Sequence, residues 1–169
     1  MLVLTDAQIA NLLADRKPIS AAKMRKLKEQ LKAKPNDRRE LVQSVETRGQ
    51  NGTIYHIGVR RKIDNDMDFS VRLSIYWRKR WINLVRCNGH HGPHNNHLER
   101  GTADGKIPAN TCHIHQATER YQLAGRDAEY FAQPSNSYHS FSSAVEFLCT
   151  HFGCCDATSP SQLLLGIMD

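Results

Sequence analysis

The stretch "DFSVRLSIYWRKRWINLVRCN", Asp68–Asn88, decides the fold. Apolar and polar residues alternate on both sides of a short basic break, "RKR" at 78–80. A period of two is the signature of half-buried strands, and a break this short joins antiparallel neighbours. Toward the N-terminus, "TIYHIGVRRK" (53–62) and "ELVQSVETRG" (40–49) carry the same period, set off by the turn signals "QNG" (50–52) and "DNDMD" (64–68). These four runs predict a meander. Toward the C-terminus, "CHIHQAT" (112–118) reads as a fifth, short strand. "SFSSAVEFLCTHF" (140–152) reads as a helix capped by Ser140 or Ser142, with Ala144, Val145, Leu148 and Phe152 on its buried stripe.

Two helices precede the sheet. Thr5 or Asp6 caps "DAQIANLLAD" (6–15), and Ser20 caps "SAAKMRKLKEQLKAK" (20–34), which ends before Pro35. The expected class is therefore α+β: an antiparallel sheet of about five strands, an N-terminal helical arm and a C-terminal covering helix. The organisation expected is a basic arm (1–36), a histidine-rich core (37–155) and a tail (156–169) carrying the apolar "LLLGIM".

The net charge of +6 is unevenly spread. Residues 1–65 hold 14 Lys and Arg against 7 Asp and Glu, whereas residues 101–169 hold 3 against 7. A basic half favours a polyanionic partner, most simply nucleic acid. Lys26, Lys28 and Lys32 on the second helix are candidates to steer it. So are Arg78, Lys79 and Arg80, a basic tip flanked by Trp77 and Trp81. The bland alternatives are a solvated basic face and tryptophans that pack on the sheet. No apolar run approaches the length of a membrane span, and the start lacks a charged n-region and a cleavage site. The five cysteines are odd in number and without framework spacing. A cytoplasmic protein with no membrane partner is expected.

Six of the nine histidines lie between positions 90 and 115, in "NGHHGPHNNH" (88–97) and "CHIH" (112–115). On a strand, His113 and His115 share one face with alpha carbons roughly 7 Å apart. His91, His94 and His97 sit in a loop with Gly92 and Pro93, where sequence fixes no geometry. Three readings stay open. His91, His94, His113 and His115 could ligate zinc or another divalent metal. His94, His113 and His115 could act as acid and base on RNA, with Arg86 clamping phosphate and Glu119 orienting a histidine. The third is structural, with the rings tying the loop to the sheet.

Residues from about 70 to 153 resemble a family of small bacterial and mobile-element proteins known as a domain of unknown function. The resemblance rests on "LVRCNG", "GPHNN", "GKIPANTCHIHQATERY", "EYFA" and "FSSAVEFLCTHFGC". The arginine, the P-H-x-N element and the H-x-H element fall on Arg86, on Pro93, His94 and Asn95, and on His113 and His115, with Glu119 and Tyr121 at the acid and the aromatic. More loosely, the arrangement is similar to the TumE-like toxins of bacterial toxin–antitoxin pairs. The resemblance implies an intracellular protein of mobile-element or defence-related origin with a recurrent histidine cluster, and supplies no reaction. Taken with the basic half and the imidazoles, the expectation is a toxin-like or phage-conflict protein acting on nucleic acid, with RNA cleavage at the histidine cluster as the expected activity. The alternative is a non-enzymatic inhibitor of a host defence complex that binds protein or nucleic acid through its basic surface. An antitoxin or a defence complex is the protein partner these readings imply.

Overall fold

A computed structural model of the chain describes residues 3–154, so the apolar "LLLGIM" and the tail expected at 156–169 lie outside the described residues. The elements run α1 (Asp6–Ala14), α2 (Ala21–Glu29), β1 (Lys32–Lys34), β2 (Asp37–Arg48), β3 (Ile54–Lys62), β4 (Phe69–Trp77) and β5 (Arg80–Asn88). They continue with β6 (His94–Asn95), β7 (Lys106–Ile107), β8 (His113–Gln116), α3 (Glu119–Leu123), β9 (Phe131–Pro134) and α4 (Phe141–His151). The fold is α+β, as the strand period predicts. Its main sheet has seven strands rather than five, all pairs antiparallel, in the order β1-β2-β3-β4-β5-β8-β9.

The extra strands have local causes. The second helix stops at Glu29, and Lys32–Lys34 folds back on β2, with Lys32 opposite Val42. Pro35 disfavours helical backbone at the residue before it, so the lysine run that reads as a last helical turn becomes an edge strand. β9 pairs only with β8, inside a stretch of weak period. Helix ends follow the sequence signals. Thr5, Ser20 and Ser140 cap α1, α2 and α4 through their hydroxyls, and Gln8 and Ser143 complete capping boxes. At the other end of α1, the buried Lys17 ammonium donates to the carbonyls of Leu12, Leu13 and Asp15 and so closes its C-terminus.

One face of the sheet is apolar. Tyr55, Ile57 and Val59 of β3, Phe69, Val71, Leu73 and Ile75 of β4, and Val85 and Cys87 of β5 form one core with Ile9 of α1, Leu27 of α2 and Ala144, Val145 and Leu148 of α4. The N-terminal helices and α4 therefore cover the same face. The alternate residues of each strand project from the other. A bulge at Leu84 matters here: Leu73 pairs with Val85 but Ser74 pairs with Asn83. The extra residue keeps Asn83 and Arg86 on the same face although they are three apart. Among the described residues, no helix is long and apolar enough to cross a membrane.

Candidate functional site

Two adjacent cross-strand rows build the site on the face opposite α1, α2 and α4. One runs Val42, Arg60, Ser70, Asn88 and His113; the next runs Ser44, Gly58, Arg72, Arg86 and His115. Arg86 thus stands between Arg72 on β4 and His115 on β8. A Cβ on Gly58 would come within 3.0 Å of Arg72 Nε, so the glycine leaves room for that guanidinium to lie across β3. The rows open on a cavity of about 390 Å³ lined by Arg72, Arg86, Asn88, His91, His94 and His115, among others.

The loop histidines, whose spacing specifies no geometry, are held in place by the fold. Asn96 is fully buried and pins the loop. Its amide donates to the carbonyls of Asp104 and Ala132 at 2.7 Å, and its Oδ1 accepts from the backbone of Ala132 at 2.9 Å. β6 pairs with β7 and holds His94 beside β8. The His94 and His115 rings meet edge-on at 4.7 Å, His91 and His113 at 4.6 Å, and His113 and His115 lie 5.0 Å apart.

Hydrogen bonds fix the tautomers. A ring nitrogen facing a carbonyl oxygen must carry the proton. His113 Nδ1 donates to Thr111 O at 2.7 Å, His115 Nδ1 to Glu129 O at 3.0 Å and His91 Nδ1 to Gly92 O at 2.9 Å. His94 uses Nε2, donating to Tyr130 O at 3.0 Å and Asn96 Oδ1 at 3.1 Å. The second nitrogen of each ring is then a lone pair. The Asn88 amide donates to His91 Nε2 at 3.2 Å and to His113 Nε2 at 3.4 Å. His115 Nε2 is buried with no hydrogen-bond partner, as are Arg86 Nε and Asn88 Oδ1.

Electrostatically the cavity is positive, and burial favours the neutral form of His94, His113 and His115. Arg60 is matched by Glu40 at 2.9 Å and Asp68 at 2.7 Å. Arg72 and Arg86 have no carboxylate at ion-pair distance among the described residues. Burial pushes His113 down to about 4 and His115 down to about 2; the Arg86 charge and the neighbouring rings add to this. Burial also lowers His94, against its hydrogen bonds to Tyr130 and Asn96. Desolvation is the largest influence on Arg86 too, and the nearby Glu129 opposes it.

The structure brings Arg86, His91, His94, His113 and His115 together. Glu119 is elsewhere: its backbone N–H donates to Asp6 and its carboxylate accepts from the Asp6 N–H, so it fastens α3 to α1 rather than orienting a histidine. An acid that does touch the cluster is Glu129, whose carbonyl holds His115 and whose carboxylate accepts from Asn83 at 2.6 Å. His97 packs against Tyr130 with the rings tilted, and does not line the cavity. The zinc or other divalent-metal reading finds no ligand set. Among the described residues no three His, Cys, Asp or Glu side chains are arranged to hold a metal ion, and the Asn88 amide sits between His91 and His113.

The steering residues divide. Lys26 and Lys28 lie in the helix layer on the far side of the sheet, with Lys28 bonded to Glu146 at 2.5 Å. Lys32 shares the row of Arg60, at the outer edge. Arg78 and Lys79 form the β4–β5 turn, both with positive φ, and Arg80 opens β5. Trp77 packs against the core, whereas Trp81 is 53 % exposed. Arg72, Asn88 and Glu129 are absent from the sequence candidates. Strand phase would have found the first two, since both share a face with Arg86 or His113. Nothing local marks Glu129. Comparison with protein-family models, curated proteins and solved structures returns no match for this chain.

Proposed function

We propose that the open sheet face binds single-stranded RNA and cleaves it at the histidine cluster. One observation carries this reading: two adjacent guanidinium groups, Arg72 and Arg86, have no carboxylate at ion-pair distance among the described residues, and next to Arg86 in the same row stands the neutral imidazole of His115, whose buried Nε2 has no hydrogen-bond partner. A phosphodiester seated on both guanidinium groups offsets their charge. His115 Nε2 takes the proton of the ribose 2′-OH, the 2′-oxygen attacks phosphorus and the P–O5′ bond breaks. The leaving oxygen takes a proton from His94 Nδ1. The products are a 2′,3′-cyclic phosphate and a 5′-hydroxyl, and exchange with solvent resets both rings. The bound anion supplies the acid, because a nearby negative charge favours the protonated form of His94. The resemblance to TumE-like toxins supports a toxin-like or phage-conflict setting, with an antitoxin or a host defence complex as protein partner. The buried free thiols of Cys87 and Cys112 are in keeping with a cytoplasmic location.

A non-enzymatic inhibitor is favoured by a different observation. All four rings spend one nitrogen on a backbone carbonyl, as loop-tethering histidines do. Two variants separate the readings. Arg72 is exposed, so Arg72→Gln keeps the fold; it lowers affinity for a labelled oligoribonucleotide about ten-fold and flattens the salt dependence by about one phosphate contact. His115→Ala, checked for folding by circular dichroism, abolishes cleavage while binding stays within a few-fold. Binding without cleavage in the unmodified protein leaves the inhibitor reading. No binding, or undiminished cleavage in His115→Ala, removes the enzymatic one.

A further inference from the structure

A second cavity, of about 360 Å³, adjoins the first and shares Asn83 with it. Trp81 and Arg80 form one wall, and Arg126, Asp127 and Glu129 from the segment after α3 form the other. Trp81 stands opposite Tyr76 in the β4–β5 register, on the face that also carries Arg72 and Arg86. The two rings lie 5.4 Å apart and His56 packs on Trp81 at 5.1 Å, yet Trp81 and Tyr76 remain 53 % and 58 % exposed. Large aromatics this exposed are the exception in this protein. They sit on the arginine-bearing face, about four strand residues from Arg72, or roughly 13 Å. Glu129 lines the cavity and is 7 % exposed, and the bond from Asn83 goes to Oε1, so that Oε2 has no hydrogen bond among the described residues.

Given the RNA-binding reading above, on which this rests, we infer that this cavity is a nucleobase subsite. Trp81 supplies the stacking surface, and the Glu129 carboxylate accepts from the exocyclic amino group of the base. The chemistry follows from the lining. An aromatic face stacks any base, but a base without its backbone charge gains nothing from Arg72 and Arg86. A carboxylate acceptor discriminates for an amino donor, as at cytosine N4, and against a carbonyl at the same position, as in uracil. A duplex presents no unstacked base to Trp81, so the subsite also selects single strands. Asn83 joins the two cavities. Its amide holds Glu129 at 2.6 Å and its Oδ1 accepts from Ser74 at 2.6 Å, so the base-reading carboxylate and the phosphate-binding row are fixed to one strand pair.

The test uses labelled octamers of deoxycytidine and deoxyuridine, which lack the 2′-OH and so bind without being cleaved, at one fixed salt concentration. Inorganic phosphate, followed through the histidine NMR signals of the same protein, probes the arginine–histidine row alone. In the unmodified protein the deoxycytidine octamer binds several-fold more tightly than the deoxyuridine one. Trp81→Ala, at an exposed position, weakens the deoxycytidine octamer about ten-fold, as loss of one stacked base does, and leaves the phosphate-induced shifts unchanged. Equal affinity for the two octamers, or an unchanged affinity in Trp81→Ala, overturns the subsite. If both octamers bind and Arg72→Gln weakens them in either case, the RNA-binding reading stands without it. If the unmodified protein binds neither octamer nor phosphate, that reading falls first and the subsite falls with it.

Discussion

The two faces of one sheet are built from alternate residues of the same strands and have opposite chemistry. On β4, Phe69, Val71, Leu73 and Ile75 are all buried under the helices. Between them, Ser70, Arg72, Ser74 and Tyr76 form the face opposite α1, α2 and α4. The closed face stabilises the fold through apolar burial, at roughly 25 cal/mol per Å². The open face carries the Arg72 and Arg86 guanidinium groups, with no carboxylate at ion-pair distance among the described residues, together with imidazoles and exposed aromatics. The difference teaches where substitutions should separate stability from binding, and a slip of one residue in register would exchange the two sets.

The largest effect belongs to the closed face. Leu73 is fully buried at the centre of the core, and Leu73→Ala removes its packing and leaves a cavity. A loss of about 2–5 kcal/mol of unfolding free energy is expected in urea titration. Octamer affinity of the fraction still folded should be unchanged. A change in affinity without a change in stability at this position would break the division between the faces.

Acid titration tests the boundary between them, where histidines of the open face are themselves buried. His113 and His115 are each 2 % exposed and are held neutral by burial, at about 4 and about 2. The unfolded chain takes up protons at these rings below about pH 6.5. Stability is therefore independent of the protonation of these rings above that value and falls as pH drops, by up to about 1.4 kcal/mol per pH unit for each ring. His113 stops contributing to the slope near pH 4, and His115 continues lower. The lowered carboxylates Glu40 and Asp68 respond only at the acid end of this window, so the range from about 6.5 to 4 reads mainly the histidines. A flat stability over that range would mean that the rings are not buried as described. Phosphate should shallow the slope, because an anion on Arg86 favours the protonated rings.

The pattern of periods makes much of this legible without coordinates. The meander of β2 to β5 follows from alternation and short breaks, and the helix starts follow from Thr5, Ser20 and Ser140. His113 and His115 share a face because H-x-H on a strand must. What brings Arg86 opposite His115 is different: β5 pairs with β8 across the whole histidine loop, and no local pattern specifies a partner that distant. The loop geometry was equally hidden. It depends on Asn96, one of several asparagines in "NGHHGPHNNH", becoming the buried clamp onto Ala132. Lys32–Lys34 misleads because lysines suit a helix surface as well as an edge strand. Glu119 misleads because nearness in sequence to His115 is no guide once Thr118 starts a new helix there.

The smallest effect, and the sharpest for the open face, lies at Gly58. Its backbone does not need glycine, since its φ is not among the positive ones. The only demand is space: an alanine Cβ would come within 3.0 Å of Arg72 Nε and 3.3 Å of its Cζ. Those atoms belong to the far end of a long, exposed side chain that can move away at little cost. Gly58→Ala should therefore shift the unfolding free energy by less than about 1 kcal/mol, with the better strand propensity of alanine offsetting the displacement. Binding should respond instead. A guanidinium displaced from its seat across β3 no longer lies beside Arg86, and octamer affinity should fall several-fold, approaching that of Arg72→Gln. If Gly58→Ala binds as well as the unmodified protein while Arg72→Gln does not, the charge of Arg72 matters but its position does not. Phosphate recognition would then be diffuse attraction rather than a seat built by two adjacent strand rows.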